Sequence, residues 1–219
     1  MDSNRTYVWL AVAVAVALAL SAGGVSAQVR EGTSEGYFLY QYQGSASAPW
    51  TSHPDVTLKF DSTNLWGFGG GYNPSNNFGI DFDLLFGNSY IEGTGQGATL
   101  TQSSSWINGR LNGNWYPVDG RFTPMLTAGI GWSNLTTKVP GAPPIYTCVP
   151  GAYYWWCGYS YPSISETAFS YNGGVGLRYD PPNSNFFLKL VYTWEWWDTS
   201  ATTKTPMFQG AYITLGGKF

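Results

Sequence analysis

Charge is what this sequence has least of. Lysine, arginine, aspartate and glutamate make up 11% of its 219 residues, against about 25% in ordinary soluble domains. The net charge of −3 is too small to imply nucleic acid or acidic ligands as partners. The chain holds one histidine, His53, and two cysteines, Cys148 and Cys157. That is too thin a supply of ligands for a metal centre. No phosphate loop or dinucleotide fingerprint is present either, so no metal and no cofactor are expected. One long apolar run occurs, Val8–Leu20, and it is short of the roughly 20 residues that a membrane-spanning helix needs. Beyond it no segment of useful length carries a helical period.

The apolar run is preceded by Arg5 and followed by small residues ending in Val25-Ser26-Ala27. This is the pattern of a secretory signal peptide. Residues 1–27 are therefore expected to be removed between Ala27 and Gln28, leaving residues 28–219 as one exported domain. In an oxidising compartment Cys148 and Cys157, nine positions apart, are expected to form a local disulfide.

What the mature chain has in abundance is aromatic side chains (18%) and glycine (28 residues), arranged with period two. In FGIDFDLLF, Phe78, Ile80, Phe82, Leu84 and Phe86 alternate with Gly79, Asp81, Asp83 and Leu85. In FFLKLVYTWEWW, Phe186, Leu188, Leu190, Tyr192, Trp194 and Trp196 alternate with Phe187, Lys189, Val191, Thr193, Glu195 and Trp197. A soluble sheet would alternate too, but these runs are longer than the usual strand of about 5–6 residues. They suit a tilted strand crossing a bilayer, which takes about 9–11. Strands are expected near 34–43, 60–73, 77–87, 104–117, 122–137, 166–180, 186–200 and 207–219. Tight turn sequences join some of them: NPSN (73–76), VDGR (118–121) and PPNSN (181–185). The links near 44–59, 88–103 and 138–165 are long, with a shorter one near 201–206. The expected fold is all-β: an eight-stranded antiparallel up-and-down transmembrane β-barrel, both termini at the short-turn end. Aromatic residues fall into two groups. Tyr72, Phe78, Trp115, Tyr116, Phe122, Tyr179, Phe186 and Phe219 lie near the short turns, and Trp106, Trp132, Trp194, Trp196 and Trp197 toward the long loops. Two such groups suggest interfacial girdles.

The signal peptide, GFGGGYNPSNNFGIDFDLLFG, LNGNWYPVDGRFTPMLTAGIGWS and the terminal AYITLGGKF together resemble the small eight-stranded outer-membrane barrels of the OmpA, OmpX, opacity-protein and OmpW type. The resemblance implies a bacterial outer-membrane location, contact with outer-membrane lipid and lipopolysaccharide, and Phe219 as the signal read by the outer-membrane assembly machinery. No peptidoglycan-binding domain is expected after the last strand, unlike in full-length OmpA-type proteins.

Three sets of residues could carry function. Asp81, Asp83, Arg110, Arg178, Lys189 and Glu195 share the polar parity of their strands. In an eight-stranded barrel they would fill the interior as an ion-pair network; a gated polar pore is the sharper reading. The second set is the aromatic cluster Tyr153, Tyr154, Trp155, Trp156, Tyr159 and Tyr161 on the Cys148–Cys157 staple. These are candidates for binding an extracellular ligand or host surface, or they fold over the barrel mouth. The third is catalytic: His53 lies beside Ser52 in a Pro-flanked loop, which does not by itself place a nucleophile and base. The expectation is a non-enzymatic surface-interaction or envelope-structural protein. The alternatives are an OmpW-like narrow channel for small hydrophobic molecules, with an apolar unobstructed interior, or a lipid-modifying barrel enzyme.

Overall fold

The computed structural model describes residues 30–95, 98–138, 145–150, 155–160 and 163–219. Twelve strands follow one another: β1 (Thr33–Gln43), β2 (Ala46–Pro49), β3 (Thr57–Phe60), β4 (Thr63–Ser75), β5 (Phe78–Gly95), β6 (Ala98–Trp115), β7 (Phe122–Lys138), β8 (Ile145–Pro150), β9 (Trp155–Ser160), β10 (Ser163–Tyr179), β11 (Phe186–Asp198) and β12 (Met207–Lys218). Eight of them close a ring, β1-β4-β5-β6-β7-β10-β11-β12, every neighbour antiparallel. Closure is made by β1 on β12, from Glu35↔Lys218 to Gln43↔Gly210. The last residue joins in: Phe219 N–H donates to the Ser34 carbonyl, and Ser34 N–H to the Phe219 carbonyl, both at 3.0 Å. A closed ring leaves no unpaired sheet edge among its strands.

Alternation decides which way each strand faces. Phe38, Tyr40, Phe68, Phe82, Leu111, Ile130, Leu190 and Leu215 stand outward and exposed, while Asp81, Asp83, Arg110, Lys189 and Glu195 are buried inside. A protein with charge at its centre and exposed rings and aliphatics around its waist has its solvents reversed. That distribution fits a barrel in lipid and not a sandwich in water.

At the short-turn end the links are brief. In the 180–185 turn Asn183 adopts φ 53°, a left-handed conformation that asparagine tolerates better than most residues. The β4–β5 ladder carries a bulge between Tyr72 and Ser75, and β4 runs two residues past the expected end.

The long-loop end departs further from expectation. Residues 88–95 and 98–103, expected as a loop, are the upper parts of β5 and β6, paired through Gly95↔Ala98. The sequence there, TGQGATLTQSSS, is mostly Thr, Ser and Gly and lacks the apolar alternation that marked the other strands, yet Thr is a good strand former. The 44–59 link contains the β2–β3 hairpin, which adds to the ring through β3 on β5. Within 138–165, β10 begins at Ser163, paired with Lys138, and β8–β9 form a separate two-stranded sheet. The ring is consequently uneven. β5, β6, β7 and β10 have 18, 18, 17 and 17 residues, whereas β1, β4, β11 and β12 have 11, 13, 13 and 12. Three residues assigned above to the aromatic girdles, Tyr116, Trp106 and Trp197, are buried instead.

Candidate functional site: the barrel interior and its long-loop end

The lower interior is a stack of linked ions. Asp180, in the β10–β11 turn, accepts from Arg178 Nε at 2.8 Å and Nη2 at 3.0 Å, a bidentate pair. It also meets Lys218 Nζ at 3.0 Å and Arg30 Nε at 3.1 Å. Arg178 Nη2 reaches Glu35 Oε1 at 2.7 Å. Lys189 Nζ then bridges Glu35 Oε2 at 3.1 Å and Asp81 Oδ2 at 2.8 Å. Rings flank the cations: the Arg178 guanidinium lies 4.6 Å from the Phe187 ring centre and Lys189 Nζ 5.1 Å from that of Tyr37.

One level up, Asp83 accepts from Tyr37 Oη at 2.7 Å and Asn112 Nδ2 at 2.8 Å, and pairs with Arg110 Nη2 at 3.3 Å. Arg110 Nη1 donates to Gln41 Oε1 at 2.8 Å and lies 4.0 Å from Glu195 Oε2. Glu195 Oε1 accepts from Trp197 Nε1 at 2.8 Å. All six charged residues picked out by parity thus lie in the interior: Asp81 with Lys189, Asp83 and Glu195 with Arg110, and Arg178 with Asp180.

Parity alone missed four more. Glu35 and Lys218 lie on the inward parity of β1 and β12 and could have been found that way. Arg30 and Asp180 lie just outside strands, where alternation says nothing. Among the described residues the buried set is five carboxylates (Glu35, Asp81, Asp83, Asp180, Glu195) and five cations (Arg30, Arg110, Arg178, Lys189, Lys218). Formal charge inside the barrel therefore sums to zero, which buried ions need.

Above the ions the interior is aromatic. Phe60, carried in by β3, packs edge-on to Trp106, Trp197 and Phe208 with ring centres 6.5, 6.2 and 5.8 Å away. Trp106 and Trp197 lie 4.8 Å apart. Leu39, Leu65, Leu85 and Leu135 complete this cluster. The hairpin that delivers Phe60 is tied across the mouth: Thr203 N–H donates to the Pro49 carbonyl at 3.0 Å and Thr51 N–H to the Ala201 carbonyl at 2.9 Å.

Outside the ring, Cys148 and Cys157 are directly opposite in the β8–β9 hairpin and form a disulfide. Tyr153, Tyr154 and Tyr161 lie outside the described residues. Trp155, Trp156 and Tyr159 belong to β9. His53 is exposed and edge-on to Trp50, ring centres 4.9 Å apart. Lys59 meets Asp61 at 2.8 Å and Glu92 at 2.9 Å. Hydrogen bonds to those two carboxylates, Asp61 first, hold its ammonium above the usual lysine range. The Phe219 ring is 80% exposed and lies against Gly36, where a Cβ would meet it at 3.5 Å.

With this inside-out ring in view, the comparisons with known proteins can be placed. The family model for the outer membrane protein beta-barrel domain matches residues 15–219. The chain belongs to that family. Among solved structures, the outer membrane protein OprG from Pseudomonas aeruginosa matches at TM-score 0.57 and 11% identity, over 90% of this chain and 99% of that one. Neisserial surface protein A matches at 0.55 and 12%, over 86% and 100%. Ail, the attachment invasion locus protein of Yersinia pestis, solved with the heparin analogue sucrose octasulfate, matches at 0.51 and 13%, over 86% and 99%. At these identities the likeness is one of fold. No curated protein matches the sequence. Family membership gives a bacterial outer-membrane barrel; its individual task must be argued from its own residues.

Proposed function

We propose that this family member is a plugged, non-catalytic barrel that acts through what it presents at its long-loop end, in surface interaction or support of the envelope. One observation carries the reading: the interior is filled from end to end, by mutually paired ions below and packed rings above. Conduction would need those pairs and rings to part, and eight strands leave little bore to spare. A channel for small hydrophobic molecules would need an apolar free path, and the ten buried charges argue against it. His53 sits at an exposed turn with an aromatic neighbour, an unpromising place for a general base.

In this reading the termini and short turns lie in the periplasm, and the strand extensions and the disulfide hairpin lie outside. Residues 1–27 serve as the cleaved signal peptide, and Phe219 as the address for the assembly machinery. The Tyr153–Tyr161 stretch of the disulfide-bonded loop supplies the rings for extracellular contact. The test is a pair of measurements on the folded protein. Planar-bilayer recordings are expected to show no conductance steps. Replacing residues 139–162 by a short Gly-Ser turn is expected to abolish adhesion of barrel-expressing cells to a host cell layer or glycan surface. Open-channel steps in the wild type would refute the plugged reading. Lipid hydrolysis lost on His53→Ala would refute the non-catalytic one.

A further inference from the structure

Every inward side chain of β6 from Ser104 to Asn114 carries a polar atom with no hydrogen-bond partner among the described residues. Going down the strand, these are Ser104 Oγ, Trp106 Nε1, both ends of the Asn108 amide, Arg110 Nε, Asn112 Oδ1 and Asn114 Oδ1. None of these residues is more than 4% exposed. They occupy every second position, so the column runs roughly 34 Å along the tilted strand. Neighbouring strands widen it. Ser133 stands opposite Asn108 and Thr127 opposite Asn114, while Gly131 and Gly129 face Arg110 and Asn112 on one side and Ser170 and Asn172 on the other. Ser133 Oγ, Thr127 Oγ1, Ser170 Oγ and Asn172 Nδ2 are unpartnered as well, and Glu195 Oε2 accepts no hydrogen bond. The two glycines make the room: a Cβ at Gly131 would lie 2.9 Å from Ser170 Oγ, and one at Gly129 would collide with Asn112 Oδ1. Turning the Asn108 amide over merely exchanges its two ends and satisfies neither.

The pattern stops at the next residue of this parity. Tyr116 Oη accepts from Arg178 Nη1 at 3.3 Å, and its ring centre lies 5.0 Å from the Arg30 guanidinium and 5.5 Å from that of Arg178. Asn73, equally buried at the lower end, has its amide donating to Glu35 Oε1 at 2.7 Å and Thr33 Oγ1 at 3.1 Å. Orphaned groups thus belong to the wall above, and partnered ones to the ion stack below.

We propose that the inward face of β6, with its neighbours on β7 and β10, is a binding site for a column of internal water that ends blind at Tyr116. A buried donor or acceptor left without a partner loses its full solvation, so a whole wall of them calls for a ligand. The set mixes donors (Asn108 Nδ2, Arg110 Nε, Asn172 Nδ2) with acceptors (Asn112 Oδ1, Asn114 Oδ1, Glu195 Oε2). Its charges already have counter-ions, which leaves a further ion no advantage and suits a small neutral molecule that both donates and accepts. A buried water makes about two to four hydrogen bonds, and the cross-strand neighbours supply them. Water also completes the shells of Arg110 and Glu195, whose own contact is a long 4.0 Å. The column goes beyond the plugged reading without opening a path, because the ion stack closes it below.

The test is water–protein NMR on the folded barrel in phospholipid nanodiscs, deuterated except at exchangeable positions. Nuclear and rotating-frame Overhauser contacts with bound water are expected at the side-chain amides of Asn108 and Asn172, and none at Asn73. A second measurement reads the sign of a substitution. Ser133→Ala combined with Ser170→Ala removes two orphaned hydroxyls, which in a dry wall is neutral or stabilising. In a hydrated wall it strands the waters, and the unfolding equilibrium constant in urea is expected to rise about tenfold. Absence of water contacts at Asn108, or an unfolding constant that is unchanged or lowered, would overturn the column. The water contacts are read on the unsubstituted protein, so the proposal stands or falls even if the double variant does not fold.

Discussion

Replacing Lys189 by methionine removes the cation that joins Glu35, at 3.1 Å, to Asp81, at 2.8 Å. Glu35 keeps Arg178 and the Asn73 amide, but Asp81 is left with only Asn114 Nδ2 at 2.7 Å. Breaking a buried pair by removing one partner costs about 3–5 kcal/mol. With a urea dependence of about 1–3 kcal/mol per molar, the unfolding midpoint in lipid vesicles should fall by roughly 1–5 M. Neutralising the stranded acid should return part of that loss. Asp81→Asn alone is destabilising, yet added to Lys189→Met it should recover about 2 kcal/mol, a coupling in the range seen for contacting charges. The assay is urea titration followed by tryptophan fluorescence, on both single variants, the double and the wild type. If Lys189→Met costs less than about 1 kcal/mol, or if Asp81→Asn adds its full cost in that background, the interior is not the coupled network described.

Other outcomes follow from single features. Gly67→Ala drives a Cβ to within 2.0 Å of the Leu84 carbonyl oxygen and should cost about 1–3 kcal/mol, whereas Gly217→Ala, with nothing within 4 Å, should stay within about 0.5 kcal/mol; the same urea titration separates them. Cys148→Ser should leave global unfolding unchanged, because β8–β9 are a sheet apart from the ring, while trypsin or chymotrypsin cuts the hairpin sooner. Deleting Phe219 removes two ladder bonds to Ser34 along with the address, and the barrel recovered from outer membranes should drop severalfold. Phe60→Ala empties the middle of the upper ring cluster and should expose the β2–β3 hairpin to proteolysis at protein concentrations where the wild type resists.

How far the sequence could be read depends on which physical signal each element carries. Strands with one greasy and one polar face, such as β11 and β12, were legible to within a residue or two, and their parity located Asp81, Lys189 and Glu195 inside. The upper halves of β5 and β6 were not, because Thr and Ser on both faces erase the alternation that period-two reading needs. Trp106 and Trp197 looked like girdle residues because an aromatic near a strand end has two solutions, lipid interface or plug. What decides between them is Phe60, delivered by a hairpin that no local pattern announces. Arg30 and Asp180 escaped for a related reason: a residue beside a turn has no face until the turn's geometry is known.

Arg30, the first residue of the described fold, also says something about the order of events. Its backbone N–H donates to Asn76 Oδ1 at 2.7 Å, and its guanidinium donates to the Asn76 and Gly120 carbonyls at 3.3 and 3.0 Å and to Asp180 at 3.1 Å. Those acceptors sit in all three short turns, between β4 and β5, β6 and β7, and β10 and β11. The turns come together only when the far end of the chain has been laid down and the ring is shut. A residue made almost at the start thus works like the keystone of an arch, which is cut early and set last.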